Sequence, residues 1–305
     1  MVSMKYAIIM LMMFGLLFPS VCTPPPVQVV SLDEQKYQCN RYGDPRSNFE
    51  VLSINFKNAD DAQGRSLAAN VDNIKAWLMT RWALPDENFP VKCKVVLTPS
   101  REVFKELFGK EPPQYRIARE PSGQAKELSV WLSADDPRCR TSSLSNTLTE
   151  ICLQEWEARH GKVGYWVHRG MPIVNGDLPS FRQKLGNLCL IYDKDLKVYW
   201  SKEILSMTPE VLAKHPPESA AWFDSESAAF LHMLYKEFGA RKFNTFLAQC
   251  RTTDPEAVLK SVYGFNSYAE CDGAFKQYMF KLSSDIAGRG KMVTPNSYLT
   301  WPLAR

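Results

Sequence analysis

Residues 144–176 read LSNTLTEICLQEWEARHGKVGYWVHRGMPIVNG, and the first half of this stretch has the pattern of a helix with one apolar face. Ser142, Ser143 and Ser145 offer capping hydroxyls at its start, and Gly161 supplies its stop. Glu150 and Cys152 ride on this helix. Upstream, apolar Leu67, Val71, Ile74 and Leu78 recur at spacings of four and three, which predicts a helix over 62–82 packed on one side. Short β-branched runs at 49–56, 91–97 and 128–132 read as strands, and 100–108 as a short helix stopped by Gly109. Further helices are predicted over 225–238, 241–250, 255–262 and 268–282. Strands first and helices afterwards predict an α+β fold, with a small mixed sheet on the core helix and a mainly helical C-terminal lobe.

The residues of this core carry a second pattern. Thr149, Glu150, Ile151, Cys152 and Leu153 are followed, sixteen residues after Glu150, by Trp166, then His168, Arg169, Gly170, Met171 and Pro172. This frame resembles the gluzincin (thermolysin-like) and peptidase MA-like metallopeptidases, in which an H-E-x-x-H helix precedes a W-[LV]-x-E-G-[LM]-A turn. In that motif two histidines four residues apart present both imidazoles to zinc from one helical face, and the glutamate takes a proton from the metal-bound water. Glu150, Trp166, Gly170 and Gly176 match the frame. Thr149 and Leu153 stand where the histidines would be, and Arg169 stands where the third ligand, a glutamate, would be.

The resemblance, which follows the element order over 50–282, therefore implies a degenerate member with no metal, no cofactor and no catalytic residue. It implies a binding cluster of Thr149, Glu150, Trp166, His168 and Arg169, in which the Arg169 guanidinium replaces the ion and pairs with Glu150, helped by the Thr149 hydroxyl. It also implies a cleft between the strand-bearing and helical halves, lined by Trp166. His168 with Glu150 supplies two ligands, short of the three that catalytic zinc needs. His160 shares the core helix but lies on the order of 16 Å from Thr149. His215 and His232 read as exposed or as satisfied packing residues.

The 305 residues are enough for one large domain, and 45% hydrophobic with 23% charged residues is ordinary for a globular chain. A net charge of +4 without a dense Lys/Arg run points away from nucleic acid. At the start, Lys5 precedes an apolar run to Phe18, and Pro19, Ser20, Val21 and Cys22 lead into a Pro-rich segment. This reads as a secretory signal peptide over 1–22, too short for a comfortable membrane span, and no later segment reads as one. Lipidation at Cys22 is the competing reading. Residues 23–48 then form an extended lead-in, and 49–305 the domain, with a strand-bearing half at 49–176 and a helical half at 177–305. The expected product is periplasmic or secreted.

Eight cysteines become seven if Cys22 leaves with the signal, so at least one thiol stays unpaired. Cys152, on its apolar helix, is the candidate for that thiol. Cys250 and Cys271 flank about the length of chain that returns a helical hairpin to its start, and a disulfide between them would stabilise by roughly 3 kcal/mol. Two functions follow. One is an exported, non-catalytic peptidase-like domain with a binding or structural role and a protein or peptide ligand. The other is a hydrolase that uses an unusual metal site or Cys152 with Glu150 and His168.

Overall fold

The β-branched runs pair side by side in the computed structural model, which describes residues 39–54, 62–176 and 199–288 with some residues between 181 and 188. The expected signal segment, most of the lead-in and Cys189 lie outside the described residues. Strands β1 (Cys39–Tyr42), β2 (Phe49–Ile54), β3 (Cys93–Thr98), β4 (Gln114–Arg119) and β5 (Ala125–Ser133) form one sheet in the order β1-β2-β3-β5-β4. The three central strands are parallel, with Val95 registered against Val51 on one side and Val130 on the other. Both edge strands run antiparallel to their neighbours. The central strands are buried almost continuously, as strands covered on both faces must be. With the helices below, this is the α+β class expected.

Around the sheet lie α1 (Ala62–Arg81), α2 (Arg101–Phe108) and α3 (Ser142–His160), followed by α4 (Tyr165–Asn175). The C-terminal part holds α5 (Ser201–Ser206), α6 (Pro209–Leu212), α7 (Pro217–Phe238), α8 (Ala240–Gln249), α9 (Pro255–Val258), which runs into a π-helical turn (Leu259–Tyr263), and α10 (Tyr268–Gly288). The described residues make one compact unit. Among the described residues no helix is long and apolar enough to cross a membrane.

Helix α3 joins the two cores. Leu144, Leu148 and Ile151 pack with the sheet and with Leu67, Val71, Ile74 and Leu78 of α1. Cys152, Leu153 and Trp156, turned to another side, pack with the helices that follow. Full burial of each such leucine or isoleucine stabilises by about 2 kcal/mol. The serines at its start do not cap it. Ser143 Oγ donates to Asp136 Oδ2 at 3.0 Å, and Ser145 Oγ donates to the Asn175 carbonyl at 2.9 Å. Those hydroxyls tie α3 to the preceding loop and to α4 instead.

Three elements depart from the sequence reading. Cys39–Tyr42 is a strand inside the expected lead-in, and Gln114–Arg119 is an edge strand with few apolar positions to announce it. The stretch after Gly164, read as a turn, is the helix α4 despite Gly170 and Pro172. Gly170 is there for packing. A Cβ at this position would stand 2.7 Å from the Ser227 carbonyl carbon and oxygen of α7, so only glycine allows the two helices to come this close.

The expected Cys250–Cys271 cross-link is not made, since both are free thiols, as are Cys93, Cys139 and Cys152. Both thiols neighbour the buried Tyr263 hydroxyl, and burial pushes each of them up to about 12.

Candidate functional site

Glu150 and Glu157 lie two turns apart on α3, so they share one face about 10 Å apart along the axis. Helix α4 inserts His168 between them. Its Nδ1 lies 3.2 Å from Glu150 Oε2 and its Nε2 lies 3.0 Å from Glu157 Oε1. Glu157 Oε1 also accepts the Val163 backbone N–H at 2.7 Å. Burial acts to lower the His168 pKa, but the hydrogen bonds to the two carboxylates outweigh it and hold the imidazole at about 9. The ring is therefore an imidazolium at neutral pH, with both N–H groups donated to carboxylates.

The expected Arg169–Glu150 pair is corrected by this geometry. Arg169 Nε donates to Asp224 Oδ1 at 2.6 Å and an Nη atom donates to Asp224 Oδ2 at 2.7 Å, a bidentate fork that clamps α4 to α7. The cation that faces Glu150 is His168. Nothing in the sequence links Arg169 to a carboxylate 55 positions away. The seven-residue spacing of Glu150 and Glu157, by contrast, was a visible signal that two acids share one helical face.

Thr149 takes no part in the pair either. Its hydroxyl donates to the Ser145 carbonyl at 2.6 Å and accepts from Asn175 Nδ2 at 2.9 Å. Asn175 Oδ1 in turn accepts from Trp82 Nε1 at 3.0 Å, so one buried network pins α3 and α4 to the end of α1. Trp166 is 3% exposed and meets Phe230 and Phe243 edge-on at 5.7 and 6.4 Å, inside the helical core. Leu153 and Met171 are buried beside it, so the described residues leave no cleft around Trp166.

These residues do not fit a zinc ion. The Thr149 hydroxyl is committed to two partners, Leu153 has no donor atom, and Arg169 is a cation already bound to Asp224. Among the described residues no group of three His, Cys, Asp or Glu side chains is placed to hold a metal. Burial pushes the Cys152 thiol up to about 12, the opposite of an activated nucleophile. His232 meets the Tyr278 hydroxyl and His215 meets that of Tyr199 at 3.1 Å, each a satisfied packing residue.

A concavity lies in the strand-bearing half. A groove of about 820 Å³ runs between the β4–β5 turn and the C-terminal half of α3, with Arg119, Gln154, Glu157, Lys162 and His168 among its walls. Arg119 staples its two sides, donating to the Gly123 and Gln154 carbonyls at 3.1 Å and lying 2.7 Å from Glu155. Tyr115 of β4 accepts a hydrogen bond from Gln154 at 3.0 Å. The outer side of β4 has no strand partner among the described residues.

The sequence matches no family model, and no curated protein sequence matches it. Among solved structures the chain is similar to a two-domain M1 zinc metallopeptidase bound to L-arginine, at 13% identity and TM-score 0.39, over 79% of this chain and 51% of that one. It is also similar to an M1 zinc metallopeptidase of Deinococcus radiodurans bound to a Tyr-Ser-Ala substrate, at 14% identity and TM-score 0.36, over 80% and 52%. The chain spans about half the length of the structures it matches.

The His168 pair makes stability depend on pH. Its pKa rises from 6.5 unfolded to about 9 folded, so the contribution is fully present below pH 6.5 and is lost as pH rises through 9. After allowance for partial solvent screening, His168→Gln is expected to cost about 2 kcal/mol at pH 6 and much less at pH 9.5. Urea unfolding at the two pH values checks this. An equal deficit at both would show that the ring acts through packing alone.

Proposed function

We propose that this chain is an exported, non-catalytic, peptidase-like domain that binds an extended peptide segment in the groove between β4 and α3. The observation that carries the reading is the outer edge of β4, which has no strand partner among the described residues and reaches the groove at Arg119. An edge strand offers unpaired backbone N–H and C=O groups to which an extended segment adds as a further strand. The non-catalytic part rests on the chemistry of Glu150. Thr149, Leu153 and Arg169 bring no metal-ligating side chain to the frame, and the Glu150 carboxylate faces the His168 imidazolium instead of an ion. Export rests on the N-terminal sequence.

A fluorescein-labelled octapeptide of alternating Thr and Val tests the binding by anisotropy, with the same peptide N-methylated on alternate amides as control. The expected result is saturable binding of the first, loss of binding of the second, and hydrogen-exchange protection over Gln114–Arg119. Equal binding of both peptides, or protection confined to other elements, would remove the strand-addition reading. Zinc bound at one per chain together with hydrolysis of the peptide would replace it with an enzyme.

A further inference from the structure

The charges in the groove are not evenly spent. Four of its lining side chains are cationic, Arg119, Arg159, Lys162 and His168, against two acidic ones, Glu155 and Glu157. Three of the cations are committed within the protein. Arg119 lies against Glu155, His168 sits between Glu150 and Glu157, and Arg159 meets Glu87 and donates to the Asn88 carbonyl at 2.8 Å. Lys162 forms no ion pair within 4 Å among the described residues.

Lys162 is not alone at its end of the groove. It stands just beyond the last turn of α3, next to Gly161, whose φ is +94°. The side chain of Arg251 passes that glycine closely, with Cδ 3.5 Å and an Nη atom 3.9 Å from where a Cβ would be. Arg251 stacks over Trp156 with its guanidinium carbon 5.0 Å from the ring, and its Nε donates to the Ala248 carbonyl at 3.0 Å. Among the described residues it too has no carboxylate partner within 4 Å. Lys162 thus lines the groove with its charge felt by Glu157 but beyond ion-pair distance of it, and Arg251 reaches the neighbouring Gly161 from a distant part of the chain.

We propose that Lys162 and Arg251 form an anion-receiving corner, and that the segment taken by the groove is an acidic peptide whose carboxylates dock there. This rests on the peptide-binding reading above and adds to it the charge of the ligand. The geometry suits the division of labour that such sites use: backbone pairing along β4 supplies sequence-independent affinity, and the charged corner supplies selection and faster encounter. A guanidinium held over Trp156 and by the Ala248 carbonyl loses little freedom on meeting a carboxylate, which favours Arg251 over a mobile surface cation.

The test extends the Thr/Val octapeptide with three C-terminal aspartates, three asparagines or three lysines, and measures each by anisotropy at 50 mM and 500 mM salt against the full chain. The aspartate peptide is expected to bind at least about fivefold more tightly than the asparagine peptide at low salt, and the difference to shrink at high salt. Lys162→Glu and Arg251→Gln should each erase the difference between the aspartate and asparagine peptides. Lys162 is an exposed loop position, so that variant keeps the test valid even if Arg251→Gln unfolds. Equal binding of all three peptides, or a preference that survives Lys162→Glu, would overturn the acidic corner and leave the groove reading standing. Binding of none of them would overturn both.

Discussion

Replacing Gly170 with alanine is expected to destabilise the protein by about 3 kcal/mol, and replacing it with valine to prevent folding of the compact unit. The reason is the identity of what the new atom would meet. Ser227 C and O lie 2.7 Å, and Ala228 N 2.9 Å, from where the added Cβ would stand, all of them backbone of α7 rather than the end of a side chain that can swing aside. α4 would have to lift off α7. That movement would strain the Arg169–Asp224 clamp between the same two helices and would unseat Val167, Met171 and Val174, all buried. Alanine's intrinsic helix advantage over glycine, about 1 kcal/mol, works the other way and is already included. Urea unfolding reads the result directly. A loss below about half a kcal/mol would mean that the helices slide apart freely and that their close approach matters little.

Glu226→Gln is expected to stabilise the protein by roughly 3 kcal/mol at pH 8. Glu226 on α7 is 1% exposed and accepts the Tyr199 backbone N–H at 2.9 Å. Burial pushes its carboxyl up to about 9, with a further push from Glu203. The folded protein therefore holds a proton here that the unfolded chain releases near pH 4.5. Stability from this group is whole below pH 4.5 and is lost progressively as pH rises through 9. Glutamine keeps the carbonyl that accepts from Tyr199 and needs no proton, so its gain should be near zero at the acid end and should grow with pH. A gain that is flat between pH 5 and 9 would show that the carboxyl is ionised in the folded state.

Periodic elements were legible in the sequence. The apolar spacing of Leu67, Val71, Ile74 and Leu78 marked α1, and all four are buried. The β-branched runs marked β2, β3 and part of β5, and the core helix was placed to within a few residues. Edge strand β4 was not, because QYRIAR has only Tyr115 and Ile117 to suggest a face and an edge needs no more. Helix α4 was hidden by Gly170 and Pro172, ordinarily breakers, which tertiary packing tolerates here.

At the site, residue types alone showed that Thr149, Leu153 and Arg169 stand where the H-E-x-x-H frame has two histidines and a glutamate. They also gave reason to expect a cation opposite Glu150. Which cation answers depends on how the helices pack. His168 and Arg169 are adjacent, and successive residues of a helix point about 100° apart, so one rotation of α4 allows only one of them to face α3. That rotation is set by the apolar contacts of Val167, Met171 and Val174 and by the close seat of Gly170 on α7. It turns His168 towards Glu150 and Glu157 and Arg169 towards Asp224, a carboxylate brought near only by the packing of the whole helical core.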